Sequence, residues 1–505
     1  MAMVPLELPP GAYYGPTEAT YSTRWRELHL MRWKSDALTP LDSWTEVDFE
    51  FASRCKRVHQ WVDNIGIKYI AYLCEEHLYI DVGGTIIDAT PVDGIVGPYS
   101  EEGGGVAVSG YGLDNYGEGD YGTPREPRII LRPITPAFTL DTWGEQLLIM
   151  TSPDGRLLKW DPQTPGNPAV AVPNAPVGNR FFIVTPERFV VLFGYGGNTR
   201  KWGWCDQENN ESWADSVTSQ AGSYEIAPAA PLLTGVQTRS GMLFFTPKKT
   251  YISRSIGLPY VYNYDEVGGA AVPISPSSIV DAVIGAIWVS ESGFWIFDGS
   301  SVIPLECPIW NWIREHINEE YSRYEATCVH VSPMSEVWWF FPSMGGRYND
   351  RYVIYNYRDK WWSMGKLARS AGSSASYDNF PIMADGTKAY RHGVPATSGY
   401  PGIDEMPWAE TYTLNGDDGA NISIIREMLV DVQGDYADVQ FSFLVTDNRT
   451  GDVPYQTPKK KAKPNGFVEV RQSGRDFRLR IESGDATSVW TVGRHMIDIK
   501  LRGKR

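Results

Sequence analysis

The sequence predicts an all-β protein: a β-propeller-like body of about six or seven blades, a C-terminal β-sandwich, and an extended N-terminal arm. Three observations carry this. A hairpin-like unit recurs through the middle of the chain. Its copies are spaced like four-stranded blades. The composition, with 19 Trp, 28 Tyr, 49 Gly and 35 Pro, favours short strands joined by tight turns over long helices. A chain of 505 residues exceeds one ordinary core, and the divisions expected are 1–54 (arm), 55–405 (body) and 406–505 (sandwich).

The arm shows little periodicity. Arg24, Trp25, Arg26, Arg32, Trp33 and Lys34 alternate cations with rings. That pattern suits either a nucleic-acid patch or aromatic packing under cationic stems that stay wet.

Each repeat in the body is an apolar run, a turn, and a second run ending near a polar residue. Lys68–Cys74 leads to His77–Asp81, and Gln146–Met150 to Leu157–Asp161. Phe189–Phe193 leads to Lys201–Asp206, Met242–Thr246 to Thr250–Ser253, and Ala286–Val289 to Phe294–Asp298. Glu336–Phe341 leads to Arg351–Asn356, and Phe380–Ala384 to Lys388–His392. From Asp161 onward the ends are 45, 47, 45, 58 and 36 residues apart, within reach of the usual blade period of about 40–50. The gap of 80 residues from Asp81 to Asp161 leaves room for a degenerate or interrupted blade. Two face-packed sheets are the alternative that the uneven spacing keeps open. Residues 101–124, rich in Gly and Tyr, read as a protruding loop.

One helix is expected over Ile309–Tyr321, with Ile309, Trp312, Ile313, Ile317 and Tyr321 on one face and Pro308 at its start. Beyond residue 406, five strands are expected at Ile424–Val432, Val439–Val445, Phe467–Arg471, Phe477–Glu482 and Met496–Leu501.

The net charge is −15, which argues against a simple nonspecific DNA binder. The balance is uneven. From Pro458 on, 13 Lys and Arg face 5 Asp and Glu, a net +8, leaving −23 for the rest. Lys459, Lys460, Lys461, Lys463, Arg475, Arg478 and Arg480 are the candidate partner interface, meeting an acidic neighbour. Arg478 and Arg480 share one strand face.

The residues give no catalytic, metal or cofactor site to expect. Gly117–Gly122 matches GxGxxG but opens no helix, and Glu118 and Asp120 would repel a pyrophosphate. Ser152–Arg156 is a poor sialidase-type Asp-box, and Trp160-Asp161 is a lone WD pair. The seven His (29, 59, 77, 316, 330, 392, 495) and the five Cys (55, 74, 205, 307, 328) lack metal-ligand spacing. The thiols are expected reduced and mostly buried. Asp161, Asp206 and Asp298 read as turn-makers, with paired acids at a propeller mouth as the alternative. Met1–Pro10 has no secretory signature, and the apolar run Ile279–Val289 is interrupted by Asp281 and too short to span a bilayer.

A set of segments carries a family resemblance. They are Ser292–Gly299 (SGFWIFDG), Leu305–Pro308 (LECP), Glu336–Pro342 (EVWWFFP), Asn349–Tyr357 (NDRYVIYNY) and Trp361–Gly365 (WWSMG). In the same order fit Met31–Lys34 through Trp44, the Gly/Tyr loop, Leu140–Gly144, Trp204–Glu208 with Trp213, Ala221–Tyr224, Pro259-Tyr260 and Gly474–Glu482. The chain thereby resembles the tail nozzle or hub proteins of short-tailed phages, once called packaged-DNA stabilisation proteins. It departs at Ala37–Ser43, where the family usually has Gly-Leu-Pro and Gly-Gly. The resemblance implies a non-enzymatic virion protein made in the bacterial cytoplasm. It implies a hexameric ring joining the portal-adaptor complex to tail fibre or distal tail proteins. Double-stranded DNA would pass the lumen without sequence-specific binding, and the ring would help retain packaged DNA. A glycan- or receptor-binding propeller is the second reading; a DNA-processing enzyme is the third and lacks a supporting cluster.

Overall fold

The computed structural model describes residues 3–15, 23–97, 106–108, 128–130, 135–227, 230–269, 271–373, 380–394, 399–414, 420–434, 438–447 and 453–503. The fold is all-β. Among the described residues, seven four-stranded sheets follow one another along the chain. Blade 1 runs from Cys55–Val62 to Thr85–Asp88, and blade 2 from Phe138–Trp143 to Val170–Ala171. Blade 3 runs from Phe181–Val184 to Gly222–Glu225, blade 4 from Thr234–Thr238 to Tyr262–Gly268, and blade 5 from Ile279–Ala282 to Val302–Leu305. Blade 6 runs from Thr327–Val331 to Trp362–Lys366. Blade 7 takes Ala371–Ser373, Ile382–Asp385 and Lys388–Val394 from late in the chain and Ser43–Glu50 from its start.

Every expected hairpin is the middle pair of one blade, which makes the number seven. The sheets are separate, so two large packed sheets are not the body's architecture. The long gap between the first two hairpins does not hold an eighth blade among the described residues. It contains a two-stranded ladder, Val106–Val108 with Arg128–Ile130. The rest of the expected loop at 101–124 lies outside the described residues, as does the GxGxxG match.

The chain divides into two compact units, one of Met1–Glu50, Ala282–Ile296 and Ile303–Arg505, the other of Phe51–Asp281 and Phe297–Val302. In the second unit, successive blades pack face to face. Leu147 and Ile149 of blade 2 join Tyr69, Leu73 and Ile80 of blade 1. Their neighbours Leu148 and Met150 point the other way and join Phe182, Val190 and Leu192 of blade 3. Val191 and Phe193 in turn join Phe244 and Tyr251 of blade 4. Side chains alternate across a strand, so a middle strand with both faces covered must be apolar throughout. Rings fill these layers: Phe181 stacks on Phe193 at 4.4 Å, and Trp202 lies 5.8 Å from Phe244. Gly155 has φ of 70°, and a Cβ there would stand 2.7 Å from the Gly178 Cα; only glycine permits this approach of two loops.

In the first unit, most of the described residues among the first fifty, expected as an extended arm, are built into sheets. Val4–Leu6, Met31–Lys34 and Ala37–Pro40 join Ile422–Gly434, Phe467–Gly474 and Trp490–Gly503 in a six-stranded sheet. Trp25–His29 joins Trp408–Thr411, Val439–Thr446, Asp476–Ser483 and two short strands in another. All five strands expected after residue 406 are present. The two sheets meet where the Trp490 indole donates to the Ser483 hydroxyl at 2.8 Å. The rings of the supposed cationic patch are buried: Trp25 and Trp33 lie 6.4 Å apart. Arg32 is buried too, paired with Asp42 at 2.9 Å and Glu336 at 3.5 Å, so its charge is not wet as expected.

Blade 7 is secured by a buried cation. Arg369 sits 5.0 Å from the Trp44 ring and 4.3 Å from the Tyr390 ring. Its Nε donates to His392 Nε2 at 3.0 Å, which requires a neutral imidazole. Burial first, then the neighbouring Arg369, holds His392 well below the usual histidine range.

The single expected helix is two, α1 (Trp310–His316) and α2 (Glu319–Glu325). Ile317 turns to extended backbone, and the Asn318 side chain accepts from the Tyr321 N–H as an N-cap. The helical spacing of Ile313 and Ile317 gives no warning of the break; the capping residue does.

Burial lowers His29, His59 and His495 to about 4. These groups stay neutral when folded and take protons near pH 6.5 when unfolded. Their contribution is therefore complete above pH 6.5 and is lost as pH falls toward 4. His495→Gln should make the urea-measured stability loss between pH 7 and pH 5 smaller than in the wild type, by about 2 kcal/mol. An unchanged loss would refute the assignment.

Candidate partner interface

The basic C-terminal residues separate into two groups. Arg478 and Arg480 occupy alternate positions on Asp476–Ser483 and point to one face, as the sequence indicates. They are only partly exposed and meet carboxylates of their own sheet. Glu410 lies 3.5 Å from Arg478 and 3.7 Å from Arg480. Glu482 lies 3.5 Å from Arg480 and 2.7 Å from Lys459. The Arg480 guanidinium also covers the Trp408 ring at 3.9 Å. Glu410 is directly opposite Arg480 because Trp408–Thr411 pairs with Asp476–Ser483. Its carboxyl is raised, by burial first and by Glu27 next, and lowered by both arginines.

The other group faces out. Lys460 and Lys461 form an exposed short strand on Val439–Thr446. Lys463 is exposed and pairs with Glu469 at 2.5 Å. Arg475 donates to the Ala420 carbonyl at 3.0 Å. Lys459, Arg478 and Arg480 thus belong to a network that balances charge within the sheet, while Lys460 and Lys461 remain the positions where a cationic surface is presented. Glu410, the residue on which the network centres, has no local sequence signal, because its partners are about 70 residues away.

The strand-end aspartates are turn-makers. Asp161 accepts from Gln163 N–H at 2.9 Å, Asp206 from Gln220 N–H at 2.7 Å, and Asp298 from Ser300 and Ser301 N–H at 2.9 Å each. Two other carboxyls carry the unusual electrostatics. Asp141, in the first strand of blade 2, is pushed up to about 6 by burial against opposing Thr142 and Val184 N–H groups and Arg57. Asp281 is pushed up to about 6 by burial, opposed by Arg239. An acid interrupting an otherwise apolar strand was the available signal for Asp281; Asp141 shares its strand with Thr139 and Thr142 and had none. Among the described residues no group of His, Cys, Asp and Glu is arranged to hold a metal ion, and no helix is long and apolar enough to cross a membrane.

No family model matches the chain, and no curated protein matches it. Solved structures match at low scores. The Myceliophteria thermophila Cps50 (Swd1) beta-propeller domain matches with a TM-score of 0.39 and 11% identity, covering 70% of this chain and 99% of that one. The WD40 domain of SCAP from fission yeast matches with a TM-score of 0.32 and 10% identity, covering 91% and 94%. An exo-beta-1,3-galactanase from Phanerochaete chrysosporium matches with a TM-score of 0.24 and 10% identity, covering 72% and 95%. At these scores the likenesses carry no argument about activity.

The division of the basic residues predicts unequal consequences. Glu410→Ala removes the carboxylate that Arg478 and Arg480 share, with Glu482 still beside Arg480, and should cost about 2–3 kcal/mol. Lys460→Glu combined with Lys461→Glu should change stability by less than about 0.5 kcal/mol. Denaturant midpoints of the two variants check this; similar losses would contradict the division.

Proposed function

We propose that this protein is a structural subunit of a phage tail nozzle or hub, acting in the virion rather than as an enzyme. The observation that carries the reading is the ordered resemblance running from Met31 to Glu482. Its residues build the framework: SGFWIFDG leads into and forms a strand of blade 5, and EVWWFFP and NDRYVIYN are the middle strands of blade 6. In this reading copies of the chain form a hexameric ring between the portal-adaptor complex and the tail fibre or distal tail proteins. DNA passes through the ring during ejection and is retained before it.

Charge supports such a conduit. Each lining cation that neutralises a phosphate adds affinity and a salt slope of about −0.9. A net charge of −15 per copy keeps overall affinity for DNA low, and screening over about 8 Å leaves the outcome to the lining residues alone. The exposed Lys460 and Lys461 suit an acidic neighbour better than an open lumen, where they would hold the passing duplex.

The glycan-binding alternative draws support from the many aromatic residues, since exposed rings stack on sugars. Of the 19 tryptophans, however, all except Trp295 and Trp310 are buried. That assigns them to packing and favours the structural reading.

The decisive measurement is negative-stain electron microscopy of particles assembled without this protein. Heads that fill, lose their DNA and lack the distal tail are expected. Complete tails that hold DNA but fail to adsorb would overturn the proposal in favour of receptor recognition.

A further inference from the structure

Cys55 and Cys74 face each other across the first two strands of blade 1. The backbone bonds define the kind of pair. Cys74 N–H donates to the His77 carbonyl at 2.8 Å, away from the first strand, and Glu75 N–H donates to the Arg54 carbonyl at 3.0 Å. Bonds flanking a facing pair, instead of joining it, mark a non-hydrogen-bonded antiparallel site. There the Cα atoms stand about 4.5 Å apart and the side chains converge. That spacing falls inside the window of about 4.4–6.8 Å that a disulfide spans.

Both side chains are fully buried, at 0% exposure, and the Cys55 thiol donates to the Arg57 carbonyl at 3.5 Å, while its nearness helps to raise the Cys74 thiol. Lys56 bulges between Cys55 and Arg57 and pairs with Glu75 at 3.5 Å, closing over the site. Cys205, by contrast, accepts from the Val190 N–H at 3.1 Å within blade 3.

We propose that Cys55 and Cys74 form an intramolecular disulfide when the protein passes from a reducing to an oxidising thiol–disulfide environment. With oxidised glutathione as the oxidant, the two protein thiols lose two protons and two electrons. One S–S bond forms in blade 1, the S–S bond of the oxidant breaks, and two glutathione thiols carry away the protons. Burial pushes the Cys74 thiol far above its ordinary range, so little thiolate exists in the closed blade and exchange proceeds through local opening. The outcome is a covalent staple of the twenty-residue segment Cys55–Cys74, slow to form and slow to reduce. The proposal is independent of the function proposed above.

The full chain, purified under reductant and desalted, is incubated with oxidised glutathione in mild urea, blocked with N-ethylmaleimide and digested without reduction. The expected product is a cross-linked peptide joining Cys55 to Cys74, lighter than its parts by two hydrogens. The midpoint of thermal unfolding should rise by about 3 °C and return with dithiothreitol. Cys205→Ala should keep the rise and Cys74→Ala should abolish it. Should Cys74→Ala not fold, the peptide map of the wild-type chain decides. Stable glutathione adducts, exclusively intermolecular cross-links, or two thiols still reduced at equilibrium would each overturn the proposal.

Discussion

The pairing of Ser43–Glu50 with Lys388–Val394 is the constraint on which the arrangement of the chain rests. The strand that leads into blade 1 is the last strand of blade 7. An unpaired strand edge is a template for association, and here the chain covers that edge with its own beginning. The join does not depend on ladder bonds alone. The Arg369 guanidinium lies against the rings of both Trp44 and Tyr390. Lys388 pairs with Glu46 at 2.6 Å along the same ladder. A buried guanidinium is costly unless it is compensated; rings, a neutral histidine and a carbonyl provide that compensation here. A protonated His392 would remove the acceptor and add a like charge.

The same economy governs the C-terminal sheets. The sequence shows an excess of positive charge, which suggests a surface waiting for an acidic partner. In the fold much of that charge is answered internally by Glu410 and Glu482. Total charge by segment overstates what is presented outward, because strands distant in sequence bring their own carboxylates. What remains outside is spread over several strands, at Lys460 and Lys461, Arg471, Arg494 and Arg502.

The parts of the fold that were legible in the sequence have a common physical basis. Middle strands such as Gln146–Thr151 and Glu336–Pro342 are buried on both faces and flanked by obligatory turns. Outer strands are not legible in the same way. Val170–Ala171 has two residues and Tyr262–Gly268 carries Asp265 and Glu266, so neither has the alternation that identifies a strand. The role of the first fifty residues was illegible for another reason: their partners lie hundreds of positions away. The face shared by Arg478 and Arg480 followed from period two, but their counter-charge depended on that long-range pairing. Asp281 was visible as an interruption of an apolar run and Asp141 was not, and the raised carboxyls of both came from burial in the folded protein.

The woven beginning of the chain also sets the timetable of its biogenesis. A ribosome adds about 5–20 residues per second, so on the order of 20–70 s separates the emergence of Ser43–Glu50 from that of its partner near residue 390. Throughout that interval Trp25, Trp33 and Trp44, all buried in the finished protein, have no native cover. Until the late strands emerge, the growing chain exposes aromatic surface that the finished fold encloses.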